Sequence, residues 1–205
     1  MRIDLRAPNL ETLRSAAALV RDGGLVLYPT DTIYGLGCDA RQPASVRRLV
    51  ELKGRSEGKG MLVLIPSTRW LPELSKGVPD EGWEILERFW PGPLTVLLEA
   101  AEGIPEGLCG YQGKIGIRWP ASTFLRSWLD LLDGPLVSTS ANPSGTPYDG
   151  SPKVLKALYE GRVDLLLDAG ELPARQPSTV VDLTMRPFSI VRDGERAAEL
   201  RKFLV

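Results

Sequence analysis

The run Ser138-Thr139-Ser140-Ala141-Asn142-Pro143-Ser144-Gly145 packs four hydroxyls and one amide into eight residues. These are neutral donors and acceptors, able to hold a polar ligand without carrying charge. They follow the apolar step Pro135-Leu136-Val137, which predicts that the cluster sits at the end of a buried strand, where α/β proteins place ligands. Pro143 biases Asn142 toward an extended backbone and so fixes the direction of its amide. Charge is supplied by Lys53, Arg55 and Lys59, in a stretch punctuated by Gly54, Gly58 and Gly60. Arginine binds phosphate through a planar fork and lysine as a point charge, each such bond contributing roughly 1.5–3 kcal/mol. Following a helix, these cations are expected on a flexible turn. Together the two segments predict a pocket for a phosphorylated, sugar-bearing ligand. It is not a P-loop, because no Gly-x-x-x-x-Gly-Lys-Ser/Thr occurs. Read alone, each segment also fits a plainer role, a hydroxyl-rich turn bonded to its own backbone or a solvated basic loop.

A second polar loop is expected over Thr30 to Ala40, containing Gly35 and Gly37. Asp31 in it could bind a metal or an ammonium group, or cap the turn. Cys38 reads as a small buried residue, since no activating base accompanies it. Trp90-Pro91-Gly92-Pro93-Leu94-Thr95 reads as an architectural turn feeding a strand. Arg118 ends the apolar strand Ile115-Gly116-Ile117 and needs a carboxylate partner, from the protein or from a ligand; Arg192 repeats the arrangement.

The chain has no histidine, which excludes Ser-His-Asp and Cys-His catalysis and histidine-ligated zinc. Its two cysteines make neither a disulfide framework nor a zinc site. Net charge is −1, so no overall basic field captures nucleic acid; the informative charge is local, six basic residues against Glu51 and Glu57 over 41–59. The start lacks the apolar core of a signal peptide and no window approaches the ~20 apolar residues of a membrane span, so a cytoplasmic protein is expected.

Elements must position these groups. Helices are predicted over 10–22 (capped by Asn9), 43–52, near 67–75 and 80–90, over 121–132, from Ser151 to about Tyr159 and from about 195. Strands are predicted at 25–28, 61–65, 94–98, 114–118, 135–138, 163–167, 179–183 and 188–192. The 205 residues, 43% hydrophobic, fit one α/β domain with a mixed parallel and antiparallel sheet.

These segments, in this order, resemble the YrdC-like family of threonylcarbamoyl-AMP synthases. The matching stretches are Pro29 to Ala40, Lys53-Gly54-Arg55, Trp90 to Thr95, Gly116-Ile117-Arg118, Ser138 to Gly145, Ser178 to Asp182, and Arg192-Asp193-Gly194. The resemblance covers about residues 9 to 195 and is to the short, single-domain bacterial form. It implies a YrdC-like fold, a twisted mixed sheet flanked by helices with a concave ligand-binding face. It implies an enzyme that joins L-threonine, bicarbonate and ATP into threonylcarbamoyl-adenylate with release of pyrophosphate. Partner proteins would then move the threonylcarbamoyl group to adenosine 37 of tRNAs reading ANN codons, with weak tRNA binding by the chain itself.

By resemblance, Lys53 and Arg55 are the catalytic cations. Lys59, Ser140, Asn142, Ser178 and Arg192 bind ATP with its Mg2+, and Thr32, Arg118 and Ser138 bind the substrate, Arg118 facing the amino-acid carboxylate. No protein-held metal is expected. Many members carry a histidine in the strand after the Lys-x-Arg loop; here that strand is Met61-Leu62-Val63-Leu64-Ile65 and has none. The alternatives are a noncatalytic RNA-binding protein, or a paralogue adenylating a different carbamoylated amino acid.

Overall fold

The computed structural model describes residues 1–5, 8–54, 61–110, 112–142, 151–173 and 175–204. Among the described residues a ten-stranded sheet runs in the order β1 (Arg2–Asp4), β8 (Leu165–Asp168), β2 (Val26–Tyr28), β3 (Gly35–Asp39), β7 (Leu136–Ser140), β4 (Leu62–Leu64), β6 (Lys114–Arg118), β5 (Leu94–Glu99), β9 (Thr179–Asp182), β10 (Ser189–Arg192). Pairing is mixed: β2–β8, β4–β6 and β5–β9 are parallel, whereas β3–β7, β4–β7 and β5–β6 are antiparallel. The helices are α1 (Leu10–Arg21), α2 (Pro43–Lys53), α3 (Leu71–Leu74), α4 (Asp80–Phe89), α5 (Thr123–Leu132), α6 (Pro152–Tyr159) and α7 (Ala197–Phe203). No helix among the described residues is long and apolar enough to cross a membrane.

Local chemistry sets the boundaries. The Asn9 side chain accepts from the Thr12 amide at 2.8 Å and opens α1. Pro43 occupies the first turn of α2, and Gly54 closes it in a left-handed conformation, φ +54°. Ser122 caps α5 by accepting from the Leu125 amide.

Strand alternation divides the buried side chains into two clusters. On one face Val63, Val96, Ile115, Ile117 and Val137 pack beneath α2, α4, α6 and α7, through residues such as Leu49, Phe89, Leu155 and Leu200. On the other, Val26, Tyr28, Leu64 and Leu136 pack against Ala16, Ala17 and Val20 of α1 and Trp128 and Leu132 of α5. Ten strands span roughly 43 Å and two helices cover about 20 Å of that. Among the described residues no helix packs on this second face over β4, β6, β5 and β9, and a cavity opens there.

Two expectations fail in detail. Thr30 to Ala40 is not loop throughout, because Gly35–Asp39 forms β3 between β2 and β7. Its glycines hid it: a Cβ on Gly37 would lie 2.3 Å from the Val137 carbonyl oxygen, so a residue disfavoured in strands is the one that fits. The hydroxyl run does not begin after its strand either, since Ser138, Thr139 and Ser140 are the last three residues of β7. The short strand β1, paired with β8, was also missed.

Candidate functional site

The cavity holds about 500 Å³, within the usual range for a small-molecule site. Its floor follows strand periodicity. Ile115 and Ile117 enter the core, so Lys114, Gly116 and Arg118 face the opening. By the same alternation β5 offers Thr95 and Leu97, β9 offers Val180, and β7 offers Ser138 and Ser140. The pairing register lines up Ser138, Leu62, Gly116 and Leu97 across four strands. The middle of this floor is apolar and flat, because Gly116 has no side chain, and polar groups surround it.

One end is built on Arg118, whose side chain is 3% exposed and is ion-paired at 2.6 Å with Asp31, 9% exposed. Arg118 Nε donates to the Gly92 carbonyl at 3.0 Å and Nη1 to Thr32 Oγ1 at 3.3 Å. The partner of Arg118 is thus a protein carboxylate, and the Trp90–Thr95 turn, expected to be architectural, supplies a second fixing contact. Asp31 also accepts from the Ala121 amide at 3.1 Å, and its carbonyl accepts from Arg175. Thr32 is buried and sits 3.0 Å from Thr30 Oγ1. The Thr30 hydroxyl donates to the Ile33 carbonyl at 2.7 Å and accepts from the Thr32 and Ile33 amides.

At the β7 end, Tyr28 donates to Ser138 Oγ at 2.6 Å. Burial pushes the Tyr28 phenol well above its ordinary range despite that bond, which keeps it a donor and leaves the Ser138 proton for the cavity. Ser140 and Asn142 line the same wall. Lys53 differs from its expected place. It is the last residue of α2, buried, and donates to the Ser140 carbonyl at 2.7 Å and to the Asn142 carbonyl. The helix runs one residue further than predicted and turns this ammonium inward, onto the backbone of the hydroxyl run. Arg55 and Lys59 lie outside the described residues, as do Pro143, Ser144 and Gly145.

The third polar wall joins Ser178 and Arg192. Arg192 Nη2 donates to the Ser178 carbonyl at 2.8 Å and to Ser178 Oγ at 3.1 Å, and Thr95 Oγ1 lies 2.9 Å from Ser178 Oγ. Cys38 faces the core; burial first, then nearby Asp39, pushes its thiol up to about 12. It stays protonated and is no nucleophile.

One acidic and one basic residue outside the expected site set belong here. Asp31, open between a ligand-binding role and a turn cap from sequence, is the carboxylate that fixes Arg118. Lys114 was not singled out at all; the signal was its parity with Gly116 and Arg118 on one strand. It pairs with Asp182 at 2.7 Å. Asp182 also accepts from the Thr184 amide and hydroxyl. Burial raises the Asp182 carboxyl, but the Lys114 and Thr184 bonds outweigh it, so its pKa is lowered.

The architecture is that of a mixed-sheet α/β protein with a ligand cavity on the uncovered sheet face. The Sua5/YciO/YrdC family model, described as telomere recombination, matches residues 18–194, and the chain belongs to this family. A Threonylcarbamoyl-AMP synthase of Pyrococcus abyssi is 36% identical over 182 residues, covering 89% of the chain and 54% of that protein. One of Halorhodospira halophila is 35% identical over 190 residues, covering 93% of the chain and 94% of that protein. The chain thus spans about half the length of the first relative and nearly all of the second. The crystal structure of P. abyssi Sua5 complexed with L-threonine superposes with a TM-score of 0.92 at 33% identity, over 100% of the chain and 61% of that chain.

Proposed function

We propose that the chain is an L-threonylcarbamoyladenylate synthase, a nucleotidyltransferase acting in the cytoplasm. The observation that carries the reading is one cavity with two kinds of polar end on a shared apolar floor: an arginine fixed by a carboxylate beside Thr32, and a hydroxyl and amide wall ending β7. The relatives' names and the threonine bound to P. abyssi Sua5 support it.

Threonine's carboxylate lies against Arg118, with the Thr32 hydroxyl beside it and Ser138 donating to the amino acid. The amine attacks bicarbonate carbon to give a carbamate and water. A carbamate oxygen then attacks the α-phosphorus of ATP, the bond to the bridging β-oxygen breaks, and pyrophosphate leaves. The attacking oxygen is already anionic, so no protein base is needed. The task left to the protein is alignment and charge neutralisation. Ser140, Asn142, Ser178 and Arg192 hold the nucleotide. Lys53 positions the wall by tying down the Ser140 and Asn142 carbonyls, and Arg55 and Lys59 supply further cations. Mg2+ arrives on ATP. The product passes to proteins that transfer the threonylcarbamoyl group to adenosine 37 of ANN-reading tRNAs.

Measuring pyrophosphate release from ATP and bicarbonate with each amino acid in turn tests the substrate. Threonine gives the highest rate under this reading. A different amino acid at the top would assign the chain as a paralogue, an outcome to which apolar Met61 and Leu62 in the wall give particular interest. Stabilisation by RNA, with none by ATP and threonine, would favour the RNA-binding alternative.

A further inference from the structure

We propose that a second cavity, on the opposite face of the sheet from the first, binds a small monocarboxylate with an apolar body. This cavity holds about 280 Å³ and lies between the outer strands β2, β8 and β1 and the last turn of α6. Drug-sized ligands usually occupy ~300–1,000 Å³, so its occupant is smaller than a nucleotide. It shares no lining residue with the first cavity, and it is independent of the ATP reading above.

The sheet register builds the floor. Arg2, Leu166 and Leu27 are partners in one row across three strands. Leu27 and Leu166 belong to the core beneath α6, so the row faces that helix. Val163, between α6 and β8, closes the apolar side. The polar side is made by the helix. Tyr159 is the last residue of α6 and only 4% of it is exposed. Among the described residues no group hydrogen-bonds its hydroxyl, whereas buried hydroxyls are ordinarily partnered. Burial pushes its pKa up, against a smaller lowering by Arg162, so at neutral pH it is a donor in need of an acceptor.

Charge at the same opening selects an anion. Lys156 stands three residues before Tyr159, on the same side of the helix, and lines the same cavity. Its pair with Glu160 is 3.9 Å long, with side chains 44% and 71% exposed, and so long and wet a pair contributes little. Arg2 gives two N–H groups to Asp168 and keeps the rest of its guanidinium fork. The negative end of the α6 dipole opposes an anion here, and Lys156 in the last turn offsets it. A hydroxyl donor and two cations above leucine and valine side chains match one carboxylate on an apolar body. An inorganic anion would make no use of the floor, and a hydrocarbon would leave the hydroxyl unmatched.

Amide-resolved NMR titration of the full chain with hexanoate, with benzoate and with neutral hexan-1-ol tests this. At least one carboxylate is expected to shift the Leu27, Val163 and Leu166 amides saturably and to bind about tenfold more tightly than hexan-1-ol. Tyr159→Phe is expected to melt as the wild type does, because its hydroxyl holds no protein group, and to weaken that binding about tenfold. Lys156→Gln is expected to weaken it severalfold and to remove its salt dependence. Equal binding of hexan-1-ol would identify a merely apolar hole and overturn the proposal. Shifts at Ser138 and Arg118 in place of Val163 and Leu166 would put the carboxylate in the first cavity and overturn it as well. Affinity unchanged by Tyr159→Phe, or no saturable shift with either carboxylate, refutes it.

Discussion

Arg118 carries a full charge to a place that solvent barely reaches, and Asp31 makes this tolerable. Removing one partner of a buried pair strands the other, at a cost of about 3–5 kcal/mol. Asp31→Asn is therefore expected to lower the melting temperature clearly and to raise the KM for threonine, since the guanidinium loses its aim. A variant with wild-type stability and KM would show that Gly92 and Thr32 suffice to hold it. Lys53 makes a parallel case: Lys53→Met leaves the Ser140 and Asn142 carbonyls short of a donor, at about 1–3 kcal/mol each way of counting. Lost stability together with weakened ATP binding is expected, whereas lost turnover with unchanged stability and ATP affinity would mark a direct role at the reacting atoms.

At the scale of the element, β6 and β3 use glycine for opposite reasons. A Cβ on Gly116 would meet Leu97, Leu62 and Thr95 at 3.4–3.5 Å, ordinary contact, whereas one on Gly37 would press into backbone. Gly116→Ala should fold as stably as the wild type, and Gly116→Leu should fold but block nucleotide binding by filling the floor. Gly37→Ala should destabilise by on the order of 1–3 kcal/mol. Equal melting temperatures for Gly116→Ala and Gly37→Ala would contradict this account of the two strands.

The Lys114–Asp182 bridge between β6 and β9 adds a pH dependence. The Asp182 pKa is lowered on folding. Its stabilisation is present above the unfolded carboxylate value, about 3.9, and is lost as pH falls through the lower folded value. The stability gap between wild type and Asp182→Asn should be full at pH 7 and shrink below about pH 4.

Legibility followed physics at this scale. Helices with caps and apolar faces, such as the one Asn9 opens, and strands with branched apolar runs were readable to within a residue or two. The strand built on Gly35 and Gly37 was not, because its residues were chosen for close approach rather than strand propensity. Thr32, Arg118, Ser138, Ser140, Asn142, Ser178 and Arg192 were named in advance and come to one cavity. The Asp31–Arg118 and Lys114–Asp182 partnerships were out of reach, since sequence distances of 87 and 68 residues carry no signal without the sheet order.

At the scale of the whole molecule, the seven α-helices among the described residues are divided unequally over the ten-stranded sheet, and the face with fewer of them keeps room for a ligand. The central claim is that a carbamate of threonine attacks ATP on that face. Mass spectrometry of the nucleotide formed from ATP, L-threonine and 13C-bicarbonate tests it most directly. The account predicts a threonylcarbamoyl-adenylate carrying the 13C label, formed with one pyrophosphate. An unlabelled threonyl-adenylate, or no adenylate at all, would contradict it.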